Sequence, residues 1–317
     1  MIAKDFQEAT AARIVDLFRR GHNRVILADE VGLGKTIVAK TIVEKTGVWR
    51  KEINDPDYVV VYICSNAGIA NQNCSKLGIA KENRVSISEG RLSMQHLMLA
   101  ETESRTNVRL LPMTPATSFQ VKSGAGTAHE RALAYLIMDY SGVCGSYSKE
   151  LSFLMRTYFI EKPDSWQWYL KYQKGRIDKL SEKKDYLKRM KDELQNYMTQ
   201  ELVVEIKAVC RKIRRHWEDL CNSARLDSIM SWQEQKELVN KIRYCFAEIS
   251  LGMLNPDLVI MDEFQRFKDL IEIDENDHSD GALLSKKFLK DNTDSCVLLL
   301  SATPYKPYST LTELTNG

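Results

Sequence analysis

The sequence predicts an α/β fold: a three-layer parallel sheet interrupted by a mostly helical insertion. Three observations carry that expectation. A hydrophobic strand, Arg24-Val25-Ile26-Leu27, runs through a glycine-containing loop into the helix-forming run Ile37–Val43. Nearly continuous apolar runs recur at Tyr58–Cys64, Leu258–Met261 and Val297–Leu300, each ending in polar residues. Such runs suit strands buried on both faces, as in parallel sheets. Residues 129–250 carry almost no strand pattern.

Taken in order, residues 8–20 space Ala12, Val15 and Phe18 with Ile14 and Leu17 alongside, and stop at Gly21. This is an amphipathic helix with a glycine terminator. The strand at 24–27, its loop and a helix to about Lys45 follow. Tyr58–Cys64 is the second strand, closed by Ser65-Asn66, with Ala67–Leu77 helical. Val85-Ser86-Ile87 and Val108–Met113 are further short strands, and Thr114-Pro115 closes the latter. Gly124-Ala125-Gly126-Thr127 reads as a flexible loop. Helices are expected over 130–140 and 149–159. From Trp166 to Cys221, Ile177, Leu180, Leu187, Met190, Leu194, Met198 and Leu202 recur mostly at spacings of three, four or seven. That pattern predicts a two-helix antiparallel hairpin or short coiled coil. The predicted domains are 1–128 with 251–317, and 129–250.

The 317 residues are 44% apolar and 28% charged, enough for a real core, and the formal charge is only +2. Whole-chain charge therefore neither requires nor excludes nucleic acid. The seven cysteines are scattered without a CxxC pair, which suits reduced core thiols better than zinc. The N-terminus lacks a signal-peptide pattern, and no apolar run approaches 18 residues. The expectation is a cytoplasmic protein with no membrane partner.

The chemistry gathers at the strand ends. In Ala28-Asp29-Glu30-Val31-Gly32-Leu33-Gly34-Lys35-Thr36, glycines let backbone N–H groups approach an anion, and the following helix adds its N-terminal dipole. Gly32, Leu33, Gly34, Lys35 and Thr36 form a phosphate cradle, with Lys35 on the β- and γ-phosphates and Thr36 on Mg²⁺. The general phosphate-loop pattern has glycine where this chain has Asp29. The run Asp257–Met261 delivers Asp262 and Glu263 to a strand end, where an ATPase needs one carboxylate for Mg²⁺ and another to activate water. Val297–Leu300 similarly delivers Ser301 and Thr303, hydroxyls suited to coupling. The cofactors implied are ATP and Mg²⁺.

Together these segments resemble the first motor lobe of superfamily-2 helicases and translocases, with a leaning towards the SWI/SNF-like branch. Asp29–Thr36 looks like motif I, Asp262-Glu263-Phe264-Gln265 like motif II, and Ser301-Ala302-Thr303 like motif III. Phe6-Gln7 lie where the family's Q motif would read adenine through Gln7. The resemblance implies a RecA-like (P-loop NTPase) fold, ATP hydrolysis and movement on nucleic acid, duplex DNA first. It also implies that Ser65 and Asn66, and Thr114, Thr117 and Ser118, contact the nucleic-acid backbone. A complete motor of this superfamily has a second RecA-like lobe bearing arginine fingers. The expected partner is therefore such a lobe, in cis or in trans, and an isolated first lobe would be a weak ATP hydrolase. Two features depart from the family pattern: Gln265 stands where remodeller ATPases carry His, and the helical insertion precedes motif II. The resemblance covers 1–128 and 251–308 and leaves 129–250 unexplained.

Alternatives stay open. A P-loop ATPase acting on protein would share the phosphate loop, and a non-catalytic nucleotide- or nucleic-acid-binding module would need no turnover. The insertion also has two readings. Between Lys171 and Arg215, 14 Lys/Arg against seven Asp/Glu leave an excess of seven positive charges. Lys183-Lys184, Lys188-Arg189 and Arg211–Arg215 suit a basic arm on phosphates, or equally a solvated helical hairpin. Trp166, Trp168, Trp217 and Trp232 are expected to be core anchors rather than base-stacking platforms.

Overall fold

The five strands among the described residues are too short and apolar to stand alone, so they pair into one sheet and bury it. The computed structural model describes residues 2–30, 32–55, 58–85, 91–103, 108–114, 125–156, 163–218, 220, 229–264 and 294–302. They form two units: Met1–Ser88 with Thr106–Thr117 and Asn255–Gly317, and Glu89–Arg105 with Ser118–Leu254. The division differs from the sequence expectation. Residues 89–105 and 118–128 belong to the helical unit, not the sheet unit. Among the described residues, no helix is long and apolar enough to cross a membrane.

The sheet unit contains α1 (Asp5–Arg19), β1 (Arg24–Ala28), α2 (Lys35–Glu52), β2 (Tyr58–Ile63), α3 (Ala67–Cys74), then β3 (Val108–Met113), β4 (Leu258–Asp262) and β5 (Cys296–Ser301). The fourth helix, α4 (Gln95–Glu103), falls in the other unit. Strand order is β1-β5-β4-β2-β3, with every neighbouring pair parallel. Parallel neighbours need crossover connections, which the α/β alternation supplies. Helices α1, α2 and α3 cover one face through Ile14, Phe18, Ile42, Ala70 and Cys74, packed on Val60, Tyr62, Ile260 and Leu298. The opposite face is buried as well, with Val61, Ile63, Leu111, Val259 and Val297 on it. In α1 the buried stripe is Ala11, Ile14, Val15 and Phe18, while Ala12 faces solvent. The expected strand at 85–87 reduces to a bridge between Arg84 and Leu110, with 86–87 outside the described residues.

Asp257 fastens the start of β4. Its carboxyl accepts the Val59 N–H at 2.8 Å and pairs with Arg50 at 2.7 Å. Burial pushes its pKa up, against the opposing pull of the Val59 N–H and Arg50.

The helical unit contains α4, then α5 (Ala128–Ser141), α6 (Ser148–Arg156), α7 (Pro163–Asp178), α8 (Lys183–Tyr197), α9 (Gln200–Arg215) and α10 (Trp232–Met253). The predicted two-helix hairpin is three helices, α7 to α9. They are not a detached arm: α7 and α8 pack on α5, α9 on α6, and α8 on α10. The short spacings were real, since Ile177, Leu187, Met190, Leu194 and Leu202 are buried, but the turns at 179–182 and 198–199 break the run. Residues 125–127 are pinned rather than flexible. Arg131 donates to the carbonyls of Ala125 and Gly126 at 3.0 and 2.8 Å, and Thr127 caps α5. A Cβ on Gly126 would meet Arg243 Nε at 2.2 Å, so only glycine fits there.

A buried ion pair organises this unit. Arg243 Nη2 lies 3.1 Å from Glu130 Oε1, both side chains 1% exposed, and Ser93 Oγ donates to the same oxygen at 2.7 Å. Burial alone would raise the Glu130 pKa, but Arg243 and Arg91 outweigh it and the net shift is downward. A depressed folded value means the stabilisation is fully present above the unfolded pKa near 4.5 and is lost as pH falls through the folded value. Glu130→Gln leaves Arg243 buried without its counter-charge and is expected to cost about 3–5 kcal/mol at neutral pH. The deficit should shrink as pH falls below that range, read by urea unfolding of both proteins across pH.

Candidate functional site

The loop after β1 owes its shape to two left-handed glycines. Gly32 has φ +92° and Gly34 φ +84°, a region that costs other residues about 1–2 kcal/mol. Gly34 is the N-cap of α2 and offers no side-chain cap, and the first turn of α2 holds no acidic residue. The N–H groups opening this helix therefore keep their dipole uncompensated, as an anion site requires. Lys35 Nζ reaches back across the loop and donates to the carbonyls of Asp29 at 2.8 Å and Glu30 at 2.9 Å. Thr36 and Gly34 open onto a cleft of about 440 Å³, lined also by Ile37, Lys40, Ser75, Lys76 and Gly78. That volume lies within the usual range for small-molecule sites. A second cleft of about 440 Å³, lined by residues such as Glu182, Tyr186 and Arg189, belongs to the helical unit and has no such loop.

Gln7 belongs to this loop although it comes from α1. It is buried, its Nε2 donates to Leu33 O at 2.8 Å, and its Oε1 accepts the Lys4 N–H at 2.9 Å. Its amide is therefore engaged in holding the loop.

The acidic pair stands on the same sheet edge. In the register, Leu300 of β5 lies opposite Leu27 of β1 on one side and Asp262 of β4 on the other. The end of β1, from which the loop departs, and Asp262 are level, separated by one intervening strand, or about 10 Å of two inter-strand spacings. The Asp29 N–H donates to Ser301 O at 3.1 Å and ties the loop to that middle strand. Ser301 is buried.

Asp262 is held from behind. Tyr62 OH donates to its Oδ2 at 2.5 Å, and Asn73 Nδ2 donates to the same atom at 3.1 Å and to Tyr62 OH at 3.0 Å. Burial, and then the neighbouring Asp262, push the Tyr62 pKa well above an ordinary tyrosine's, so the phenol remains a donor. Burial likewise raises the thiol of Cys64 next door. Glu263 adopts φ +56°, an uncommon conformation for a residue with a side chain, and its Oε2 accepts from Ser65 Oγ at 3.4 Å.

Some predicted contacts are arranged otherwise. Asn66 Oδ1 is the N-cap of α3, accepting from Gly68 N at 2.7 Å and Ile69 N at 3.4 Å. Thr114 is fully buried at the end of β3, so its hydroxyl is not offered to a passing backbone. Thr117, Ser118, Gln265 and Thr303 lie outside the described residues. Tyr62 and Asn73 went unread in the sequence. A phenol inside the run Val-Val-Val-Tyr-Ile was the available sign, because a buried Tyr hydroxyl requires a partner.

Among the described residues, no group of three or more His, Cys, Asp or Glu is placed to hold a metal. A nucleotide-bound Mg²⁺ does not need one, since it takes one or two carboxylates and completes its shell with phosphate oxygens and water. Asp262 and the Thr36 hydroxyl have the donor chemistry for that role. No family model, curated protein or solved structure matches this chain.

A direct test of the loop geometry uses its glycines. A Cβ on Gly34 would lie 2.4 Å from Gln7 Nε2, whereas one on Gly32 meets nothing within 4 Å. Both alanine variants pay the left-handed cost, so Gly34→Ala should unfold at a lower temperature than Gly32→Ala. Adding Gln7→Ala to Gly34→Ala should recover part of the difference, measured as a double-mutant cycle.

Proposed function

We propose that the sheet unit is an ATP-binding and ATP-hydrolysing motor lobe of the superfamily-2 helicase or translocase type, RecA-like in fold and acting on nucleic acid, duplex DNA first. The supporting observation is the level alignment of the Lys35 loop and Asp262 across β5. Ligands of open parallel sheets bind at the carboxyl ends of strands. A triphosphate on the loop would extend towards Asp262 over a span of about 10 Å.

In this reading the chain's residues divide the work. The N–H groups of 32–36 and the Lys35 ammonium bind the phosphates, with Lys35 exchanging its bonds to the Asp29 and Glu30 carbonyls for phosphate oxygens. Thr36 and Asp262 hold Mg²⁺, which when bound neutralises charge developing on the transferred phosphoryl group. Tyr62 and Asn73 fix the orientation of Asp262. Glu263 accepts a proton from the attacking water. Gln7 supports the loop, and reading adenine would require its amide to leave Leu33 O. Arginine fingers from a second lobe would complete the site, and in phosphoryl-transfer systems such a group contributes about 10³–10⁵ in rate.

Ser65 supplies a route for nucleic acid to reach the chemistry. It ends β2, where the resemblance puts a backbone-contacting loop, and its hydroxyl holds Glu263. A phosphate oxygen that takes the Ser65 hydroxyl releases Glu263 towards the water.

Two outcomes are expected. By titration calorimetry the protein binds Mg-ATP, and Lys35→Ala weakens binding at least about tenfold, roughly one charge-assisted hydrogen bond's worth. A folded wild-type protein with no Mg-nucleotide affinity would sink the reading. With a second lobe supplied, Ser65→Ala raises turnover without nucleic acid and narrows the stimulation nucleic acid gives. An unchanged ratio places the coupling elsewhere.

A further inference from the structure

The helical unit carries an exposed aromatic cluster that the phosphate-loop reading does not use. Trp168 and Tyr172, one turn apart on α7, stack with ring centroids 5.4 Å apart and planes 19° from parallel. His129 of α5 meets Trp168, Tyr169 and Tyr172 edge-on at 5.8, 4.8 and 5.0 Å. Gln173 Nε2 lies 3.2 Å from His129 Nδ1 and helps fix that ring. The two stacked rings are held in place from beneath yet remain open above: Trp168 is 55% and Tyr172 39% exposed. The expectation of tryptophans as core anchors holds for Trp166, which is 2% exposed with Nε1 bonded to Ser152, but not for Trp168 or for Trp232, whose ring is exposed under Lys236.

The surroundings are basic and open. On the same helical stripe, at spacings of three, four and seven from Trp168, stand Lys171, Tyr172 and Gly175, with Lys174 exposed beside them and Lys179 exposed just past the helix end. A Cβ on Gly175 would meet nothing within 4 Å, so the surface beyond Tyr172 is clear. Of the two acids of α7, Asp178 is taken by Lys183 at 2.6 Å, and Asp164 stands exposed one turn before Trp168, at the end of the stripe away from the lysines.

We infer that this stripe of α7 is a stacking platform for unpaired bases of single-stranded nucleic acid. Composition argues against a protein partner, because protein interfaces are depleted in lysine where their aromatics are enriched. Aromatic faces interleaved with cations are what a single strand uses: bases stack on the rings and phosphates follow the lysines. Paired bases in a duplex have no free face to offer, so the platform selects unpaired nucleotides. The inference is independent of the phosphate loop, and either can fail alone.

The test is fluorescence anisotropy of a labelled oligothymidylate of about 12 nucleotides, within the site sizes of such proteins, and of the corresponding duplex. The wild-type chain should bind the single strand, more tightly than the duplex at equal salt. Trp168→Ala should weaken single-strand binding at least about tenfold and Trp168→Phe much less. Lys171→Ala with Lys179→Ala should flatten the salt dependence. Mg-ATP affinity, measured in parallel, should be unchanged in all these variants, and circular dichroism establishes that each is folded. Quenching of tryptophan emission by the oligonucleotide, reduced in Trp168→Phe, gives a readout that needs no loss of affinity. The proposal is overturned if the wild type binds no single strand, or if Trp168→Ala binds and quenches as the wild type does. It is also overturned if Trp168→Ala instead dissociates an oligomer seen by sedimentation, which would assign the surface to a second copy of the chain.

Discussion

Everything at the candidate site depends on the in-register pairing of β5 with its two neighbours. β5 contributes little chemistry itself. Its hydrogen bonds to β1 and β4 set how far apart, and how level, the glycine loop and the acidic pair stand. A slip of one residue in either ladder would turn the affected side chains to the other face of the sheet. The packing works against such slips: Leu298 and Leu300 on one face and Val297 on the other are buried. The apolar strands therefore act as a ruler for polar groups that could not hold their own spacing.

Around that ruler, the site is supported by side chains from elements distant in sequence. Tyr62 of β2 and Asn73 of α3 orient an acid about two hundred positions later, and Gln7 of α1 braces a loop from outside it. Such bracing matters because an isolated carboxyl or a glycine-rich loop would sample many geometries. The helical unit solves a different problem. Its described residues form no sheet, and instead surround the Glu130–Arg243 pair, whose burial penalises any arrangement that separates the two charges.

The strands, their order of appearance and the strand-end positions of Asp262 and Ser301 were legible in the sequence, because burial on both faces writes itself as continuous apolar runs. Gln7 was expected to read adenine, whereas its observed partner, a loop carbonyl, depends on a tertiary approach that no local pattern encodes. Asn66 and Thr114 show the opposite limit. A small polar residue at a strand end reads the same whether it faces a ligand, caps a helix or is buried. The helical unit was legible as helical but not in its partition, since heptad-like spacing continued across the breaks between α7, α8 and α9. Residues 89–105 were assigned to the sheet unit because position in the chain suggested it, whereas Leu92, Met94 and Leu97 are buried within the helical unit.

The bond from Gln7 to the Leu33 carbonyl has a practical side. The first turn of the first helix is part of the glycine loop's scaffolding, so the leading residues are not inert handle space. Shortening the chain past position 7, or fusing a bulky partner directly onto Lys4, would loosen that loop some 26 residues downstream while leaving every residue of it unaltered.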